Sequence, residues 1–246
     1  MRRFFFDPAS LNDGEVLLAA NESHHITKVL RLQPGTEIEL LDGQGTAYRA
    51  RITELGRSVR VQIVATHRQD DASVARLPLI VGQGIVKGKM DFLVEKCTEL
   101  GVATLIPFWS SRCQGKLAES HEHNKTERYQ RIVVAACKQC ARLQPMTVAA
   151  PMTFAALLAA HPPAEDVLRL LFWEEEREVN LHHLEMTKPW RQVVILLGPE
   201  GGFAAEEVQA ARASGWQTVS LGGRVLRAET ATLAAVAIVQ FFLGNM

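Results

Sequence analysis

The chain has 246 residues, of which 47% are hydrophobic and 22% are charged, a composition that suits one or two globular domains with a substantial core. Its 27 basic and 27 acidic residues cancel, so the overall charge gives no sign of a nucleic-acid partner. The apolar start at Phe4-Phe5-Phe6 is too short for a secretion signal, and the longest late apolar run, Leu233 to Val239, is too short to cross a membrane. We therefore expect a cytoplasmic protein with no membrane partner.

Residues 1–72 have the pattern of a small β-barrel with one short helix. Apolar and polar residues alternate over 47–52 and again over 59–64, and glycine turns separate the runs, as is typical of short strands. Ser23 is expected to cap a helix that runs from His24 to Leu32.

Charge does not mark this first segment as a nucleic-acid-binding module, since it has nine basic and ten acidic residues. A local stripe of Arg2, Arg3, Lys28 and Arg31 leaves phosphate contacts open as an alternative. On charge alone, an ordinary solvated surface is the favoured interpretation.

After a polar linker, Gln69–Ser73, the pattern changes to strands that alternate with helices, which is typical of a parallel α/β sheet. Strand-like runs include Leu77–Gly82, Ala103–Phe108 and Asp166–Trp173, and helical runs cover Lys89–Leu100, about Asn124 to Cys140, and Ala228–Leu243. The last of these is rich in alanine and apolar residues, so it is expected to be buried in the core or against a partner chain.

Within the second segment, residues 87–142 have ten basic and six acidic residues, the only sizeable stretch with a basic excess. Phosphate contacts and a mixed-charge helical surface are equally good interpretations of this excess. Arg112 and Arg142 belong to this stretch.

The four cysteines do not indicate a metal centre. Cys137 and Cys140 form a single C-x-x-C pair within a helical run, whereas a closed zinc site needs four ligands, usually from two such pairs. Small, reduced cysteines on a helix face are the favoured interpretation, and no metal is expected.

Two glycine-rich loops carry the strongest signal. The apolar run Val193–Leu197 ends in Gly198-Pro199-Glu200-Gly201-Gly202, and the run beginning at Val219 ends in Gly222-Gly223. A helical segment follows each loop, and glycine lets a ligand approach the backbone closely. The two loops are expected to end adjacent parallel strands, where α/β sheets bind their ligands.

The motifs Leu197–Gly202 and Leu221–Ala231 resemble those of the SPOUT superfamily of knotted RNA methyltransferases. The chain is most similar to the type that methylates N3 of a uridine in 16S rRNA of the small ribosomal subunit (the RsmE type). Further segments support this likeness along most of the chain: His24–Arg31, Glu95–Gly101, Ser111–Cys113 and Ala136–Arg142. The sequence departs from the family pattern at Ala141, where glycine is expected.

The resemblance implies an α/β protein of two domains. Residues 1–72 would form a PUA-like RNA-binding β-barrel, and residues 73–246 a methyltransferase domain with a parallel sheet and a deep trefoil knot. It also implies a homodimer, with each cofactor site near the partner subunit, that acts on 16S rRNA or the small ribosomal subunit.

The resemblance further implies that the cofactor is S-adenosylmethionine, held by three loops that follow strand ends. The implied contact residues are Trp173, Glu174, Leu197, Gly198, Glu200, Gly201, Gly202, Leu221, Gly222, Val225, Leu226 and Thr230. The residues expected to contact RNA are Arg2, Arg3, Lys28, Arg31, Arg112 and Arg142.

A uracil N3 carries a proton, so its methylation needs a base or a group that stabilises the anion. Glu229 as the base and Arg227 as the stabilising cation are the hypothesis, with Glu200 as the alternative carboxylate. The competing interpretation is that Arg227 and Glu229 only serve the start of the last helix, where an acidic residue suits the helix dipole.

Three alternatives stay open at this stage. A nucleotide-binding protein would use the glycine loop as an anion nest, but the loop has no lysine followed by serine or threonine. A non-catalytic RNA-binding or ribosome-assembly factor would need only the first domain. The nearest rival chemistry is 2′-O-ribose methylation of RNA.

Overall fold

In the computed structural model, residues 1–68, 77–113, 122–183, 188 and 190–246 are described. The expected linker Gln69–Ser73 lies outside them. The chain divides into two compact units: residues 1–74 with 137–145, and residues 75–136 with 146–246. In the described part, no helix combines the length and the apolar character needed to cross a bilayer.

The first unit is built on one six-stranded sheet. Its strands are β1 (Arg3–Phe5), β2 (Leu11–Asn12), β3 (Glu15–Leu17), β4 (Glu37–Leu41), β5 (Thr46–Glu54) and β6 (Arg60–Arg68). They lie in the order β1-β4-β5-β6-β3-β2, with β1 parallel to β4 and the other pairs antiparallel. Alternating apolar residues such as Ile38, Leu40, Ile52 and Val61 are buried in one core.

The expectation that Ser23 caps a helix from His24 to Leu32 is wrong. Helix α1 (Ala20–His24) begins earlier and continues as a π-helix over His25–Val29. Ser23 lies inside it and is buried. Its hydroxyl donates to the carbonyl of Leu18 (3.1 Å) and accepts from the N–H of Val59 (2.9 Å), so this serine satisfies buried backbone groups and not a helix end.

Residues 137–145 fold with the first unit, although no feature of the sequence separates them from their neighbours. They begin with the last residues of helix α3 (Glu122–Cys140). Lys138 Nζ donates to the buried carboxylate of Glu22 at 2.5 Å. The helix ends when the N–H of Arg142 donates to the carbonyl of Cys137, with Ala141 in the left-handed region at φ 64°.

The second unit is a parallel α/β sheet, as expected. Its strands are β7 (Leu79–Gly84), β8 (Thr104–Trp109), β9 (Thr147–Val148), β10 (Met152–Thr153), β11 (Val167–Phe172), β12 (Gln192–Leu197) and β13 (Gln217–Val219). Their order is β10-β8-β7-β12-β11-β13, with β9 also paired to β8, and every pair is parallel. The helices besides most of α3 are α2 (Met90–Glu99), α4 (Phe154–Ala160), α5 (Ala205–Ala213) and α6 (Ala228–Phe242).

The strands that precede the two glycine loops are not adjacent, contrary to the expectation. Strand β11 lies between β12 and β13, and Phe172 at its end pairs with both Leu197 and Val219. Three strands therefore end level with one another, and three loops meet at this edge of the sheet. The trefoil knot implied by the resemblance stays a prediction.

Helix α6 is buried along one face only. Thr232, Ala235, Val236 and Val239 are fully buried. Phe241, by contrast, is 70% exposed on the same helix.

The loop after β11 is anchored by the buried carboxylate of Glu176. It accepts hydrogen bonds from the hydroxyl of Thr218 (2.5 Å), the guanidinium of Arg212 (2.9 Å) and the N–H groups of Glu178 and Val179. The hydrogen bond from Thr218, with these other donors, lowers the pKa of Glu176 from 4.5 to about 2. One ionised side chain thus joins this loop to β13 and α5.

Replacement of Ala141 by glycine should stabilise the protein by about 1 kcal/mol, because a Cβ in the left-handed region costs roughly 1–2 kcal/mol, partly offset by the chain entropy of glycine. Urea denaturation would measure the change. The matched control is Ala135→Gly at an exposed interior position of α3, which should lose roughly 1 kcal/mol. Destabilisation by both substitutions would contradict the strain at Ala141.

Glu176→Gln should lower the free energy of unfolding at pH 7 by roughly 1–3 kcal/mol, because the buried Thr218 hydroxyl and the other donors lose a charged acceptor. The folded pKa of Glu176 lies below its unfolded value, so its contribution is complete above about pH 4.5 and is lost as pH falls towards about 2. The stability difference between wild type and variant should therefore narrow in urea titrations at pH 7, 5 and 3.5. Parallel pH profiles would rule out this anchoring role.

Candidate active site

A cleft lies at the carboxyl edge of the second unit's sheet, where the loops after β11, β12 and β13 meet. Its lining residues are Phe172, Trp173, Glu174, Leu197, Gly198, Pro199, Glu200, Gly202, Ser220, Leu221, Gly222, Arg224, Val225, Leu226, Ala228 and Ala231. Small and apolar residues predominate, and two carboxylates and one guanidinium are the charged groups among them. Such a cleft suits a small molecule with a flat apolar part and a charged part.

The loop after β12 packs directly against the end of β7. A Cβ on Gly84 would lie 2.5 Å from the nitrogen of Pro199 and 2.9 Å from the carbonyl carbon of Gly198, so only glycine fits there. Gly202 has φ 67°, and a Cβ on it would collide with the carboxylate of Glu174. Close backbone packing therefore fixes the path of this loop.

Glu200 points its carboxylate at the chain that follows β7. Its Oε1 accepts the N–H of Lys87 at 2.7 Å, while the side chain remains exposed. This bond holds the loop after β7 against the loop after β12. The structure thus gives Glu200 a bonding partner in addition to its place in the cleft.

The loop after β13 is held at its start and open beyond it. The N–H of Ser220 donates to the carbonyl of Val179 (2.8 Å), and the hydroxyl of Ser220 accepts from the N–H of Gly222 (3.1 Å). Arg224 is exposed, and Val225 is 82% exposed although it lines the cleft. An apolar side chain so exposed next to a cleft is available for a ligand.

Trp173 and Glu174, at the end of β11, complete the cleft. The guanidinium carbon of Arg212 lies 5.4 Å from the Trp173 ring centroid. The backbone N–H of Trp173 donates to the carbonyl of Val219. The Arg212 side chain also bonds to Glu176 (2.9 Å), so the anchor described above fixes one wall of the cleft.

Ten of the twelve residues expected to contact a cofactor line this cleft. The exceptions are Gly201, whose carbonyl accepts from Arg112 (3.1 Å), and Thr230, which is exposed on the first turn of α6. Arg227 is the N-cap residue of α6 and makes no side-chain capping bond, and Glu229 follows in the first turn. Both flank Ala228, which lines the cleft.

Sequence reasoning missed several residues of the cleft, namely Pro199, Ser220, Arg224, Ala228 and Ala231. All of them except Ser220 lie within the motifs Leu197–Gly202 and Leu221–Ala231, and Ser220 directly precedes the second motif, so their position alone was a usable signal. Ala228 and Ala231 are three residues apart at the start of α6, a spacing that puts both on one helix face.

The residues expected to contact RNA are divided between the two units. In the first unit, Arg2, Lys28 and Arg31 are exposed, Arg3 pairs with Glu39 at 2.7 Å, and Arg142 donates to the carbonyl of Gln144 at 2.6 Å. In the second unit, Arg112 is exposed beside the loop after β12. Arg2, Lys28 and Arg31 thus have the exposure that phosphate contacts require, whereas Arg3 and Arg142 are half-buried.

The cysteines are all reduced, and Cys97 and Cys137 are buried. Burial raises the pKa of the Cys97 thiol to about 12, so this thiol is unreactive. Among the described residues, no three histidine, cysteine or acidic side chains are grouped so that they could hold a metal ion.

Comparison with known proteins gives matches along nearly the whole chain. Residues 74–240 match the family described as RNA methyltransferase domain, and residues 18–64 match the RNA methyltransferase PUA domain. The ribosomal RNA small subunit methyltransferase E of Synechocystis is 31% identical over 99% of this chain and 78% of its own length.

Solved structures give the same picture. The crystal structure of a ribosomal RNA small subunit methyltransferase E from Neisseria gonorrhoeae bound to S-adenosyl methionine has a TM-score of 0.87 and 34% identity, and covers 98% of this chain and 97% of that one. A methyltransferase structure from Legionella pneumophila in complex with the bound cofactor SAM has a TM-score of 0.86 and 28% identity, with 97% and 96% covered. The protein therefore belongs to the RNA methyltransferase family, in the group of the ribosomal RNA small subunit methyltransferase E proteins.

Proposed function

We propose that this protein transfers a methyl group from S-adenosylmethionine to N3 of a uridine in the 16S rRNA of the small ribosomal subunit. The observation that carries the proposal is the cleft itself. Three level strand ends and two glycine loops form it in a chain of the RNA methyltransferase family. The Neisseria relative, which shares this fold, was solved with S-adenosyl methionine.

The cleft suits this cofactor chemically. Small residues such as Gly198, Gly202, Ala228 and Ala231 let a planar base lie close to the backbone, whose polar groups can bond to its edge. Glu174 and Glu200 give the cleft negative charge, which would favour a cofactor that carries a sulfonium and an amino group. The bound cofactor supplies an activated methyl group, so the protein's task is to position and to stabilise charge.

The assigned roles at the target base follow from position. Arg227 and Glu229 flank the cleft residue Ala228, and the side chain of Arg227 is exposed at the start of α6. A carboxylate there would take the N3 proton, and a guanidinium would stabilise the charge that develops on the neighbouring carbonyl oxygens. Glu200 is less suited to be the base, because one of its oxygens accepts the N–H of Lys87.

The same proposal assigns a separate role to each of the two parts of the chain. Residues 1–72 bind RNA as a PUA-like domain, chiefly through the exposed Arg2, Lys28 and Arg31, and residues 73–246 carry out the transfer. Arg112 adds a phosphate contact, and the half-buried Arg3 and Arg142 contribute less than these exposed side chains. The match of residues 18–64 to the RNA methyltransferase PUA domain supports this division. An rRNA substrate also implies that the protein works in the cytoplasm.

We further propose that the protein is a homodimer that uses the exposed face of α6. An apolar groove there is lined mainly by residues 180–182, residues 220–222 and the C-terminal half of α6. Ile238, Phe241 and Phe242 are exposed at its edge, which is unusual for apolar residues that lie so close together. A second copy of the chain would bury them and would lie next to the cleft, since Ser220, Leu221 and Gly222 border both.

The function is tested by transfer of labelled methyl from S-adenosylmethionine to unmodified small-subunit particles and to naked 16S rRNA. We expect wild type to give N3-methyluridine in nucleoside mass spectrometry, and Arg227→Ala to lower the rate by roughly 100-fold, the usual scale for loss of one charge-stabilising group. Arg177→Ala, which removes an exposed arginine that does not line the cleft, is the matched control.

Each result of that assay has a clear reading. A ribose-methylated product would show that the protein carries out 2′-O-ribose methylation and not methylation of the base. Binding of rRNA without any methyl transfer would indicate an assembly factor. Full activity of Arg227→Ala would remove that residue from the mechanism.

Phe241→Glu should convert the protein from a dimer to a monomer in sedimentation velocity, because a charge buried in an apolar interface is left without a partner. Leu17→Glu is the control, since Leu17 is also exposed (52%) but lies in the first unit. A wild-type monomer at micromolar concentration, or a dimer that survives Phe241→Glu, would refute this interface.

A further inference from the structure

A buried polar cluster lies behind the cleft wall and does not line it. Gln83, next to the last residue of β7, and Thr232, in the second turn of α6, are both completely buried. The hydroxyl of Thr232 donates to Oε1 of Gln83, with the two oxygens 2.6 Å apart. The cleft residues Ala228 and Ala231 lie on the same part of α6 as Thr232.

The amide nitrogen of Gln83 forms hydrogen bonds on the side away from Thr232. Its Nε2 donates to the carbonyl of Gly198 at 3.2 Å and to the carbonyl of Gly84 at 2.9 Å. Both protons of the amide and one acceptor site are therefore used. These bonds also fix its orientation, because a flipped amide would turn Oε1 towards two carbonyl oxygens.

The cluster thus joins two segments that line the cleft from different places in the chain. Gly198 begins the loop after β12, and α6 follows the loop after β13. Gln83 is in contact with both, because its amide donates to Gly198 and its Oε1 accepts from Thr232 on α6. The single proton of the Thr232 hydroxyl is shared with the carbonyl of Ala228, whose oxygen lies 2.8 Å away. A buried hydrogen bond of this kind is costly to break, because water cannot reach its polar groups to replace the lost partner.

We propose that Gln83 is a positioning residue for the cofactor cleft, acting with Thr232 to set the distance between the Gly198 loop and the first turns of α6. The inference rests on the proposed function, because it concerns the affinity of the same cleft for S-adenosylmethionine. Neither side chain lines the cleft, so their effect on the cofactor passes through Gly198, Ala228 and Ala231.

The test compares the Kd of S-adenosylmethionine, by isothermal titration calorimetry on the full chain, for wild type, Gln83→Met, Thr232→Val, Thr232→Ser and the double variant Gln83→Met/Thr232→Val. Gln83→Met keeps the length of the side chain but removes the amide, and should raise Kd by about tenfold. Thr232→Val should raise it by roughly three- to tenfold, and Thr232→Ser should bind like wild type. The double variant should resemble Gln83→Met alone, because the two residues act as one unit.

A matched control separates positioning from general stability. Thr98 is also completely buried, and its hydroxyl donates to the carbonyl of Val94, four residues earlier in α2, as that of Thr232 does to Ala228. Thr98→Val should lower Tm without changing Kd. In steady-state assays, Gln83→Met should raise KM for S-adenosylmethionine more than it lowers kcat.

The outcomes are distinct. Wild type that fails to bind S-adenosylmethionine would overturn the proposed function and this inference together. Wild type that binds, with Gln83→Met and Thr232→Val that lose Tm but keep the wild-type Kd, would overturn only the inference. If Gln83→Met does not fold, the comparison of Thr232→Val with Thr232→Ser and Thr98→Val decides the question.

Discussion

The cleft depends on a contact between two backbones. At the end of β7, Gly84 lies so close to the Gly198–Pro199 peptide that no side-chain carbon fits between them. This contact brings the loop after β12 down onto the sheet. It also places Gln83 within reach of the Gly198 carbonyl and Lys87 within reach of Glu200. The cleft wall at Gly198 and Pro199 is therefore set by backbone packing, while Gln83, which bonds to it, lies behind it.

One buried polar group, Glu176, holds the wall formed by the loop after β11. The carboxylate of Glu176 accepts hydrogen bonds from its own loop, from Thr218 in β13 and from Arg212 on α5. These donors stabilise the ionised carboxylate and so lower its pKa. Arg212 also lies over the Trp173 ring, which forms part of the cleft. Buried and satisfied polar groups of this kind fix loops that contain few apolar anchors.

Helix α6 connects the cleft with the surface of the protein. Its first turns supply Ala228 and Ala231 to the cleft, its middle is buried, and its last turns expose Ile238, Phe241 and Phe242. Residues 220–222 border both the cleft and the apolar groove beside this end of α6. If a second copy of the chain covers the groove, cofactor binding and subunit association share the same loop.

The sequence by itself determined the α/β fold class and the two glycine loops, because apolar runs that end in glycine reflect local geometry. Ten of the residues that line the cleft came from the resemblance to a known family of RNA methyltransferases. It did not determine that β11 lies between β12 and β13, since strand order depends on pairing between distant segments. The buried serine at position 23 carried the same signal as a helix cap, and only its contact with Val59 distinguishes the two. The roles of Gln83, Thr232 and Glu176 were likewise decided by tertiary structure, because the hydrogen-bond partners of these side chains lie up to 149 positions away in the sequence.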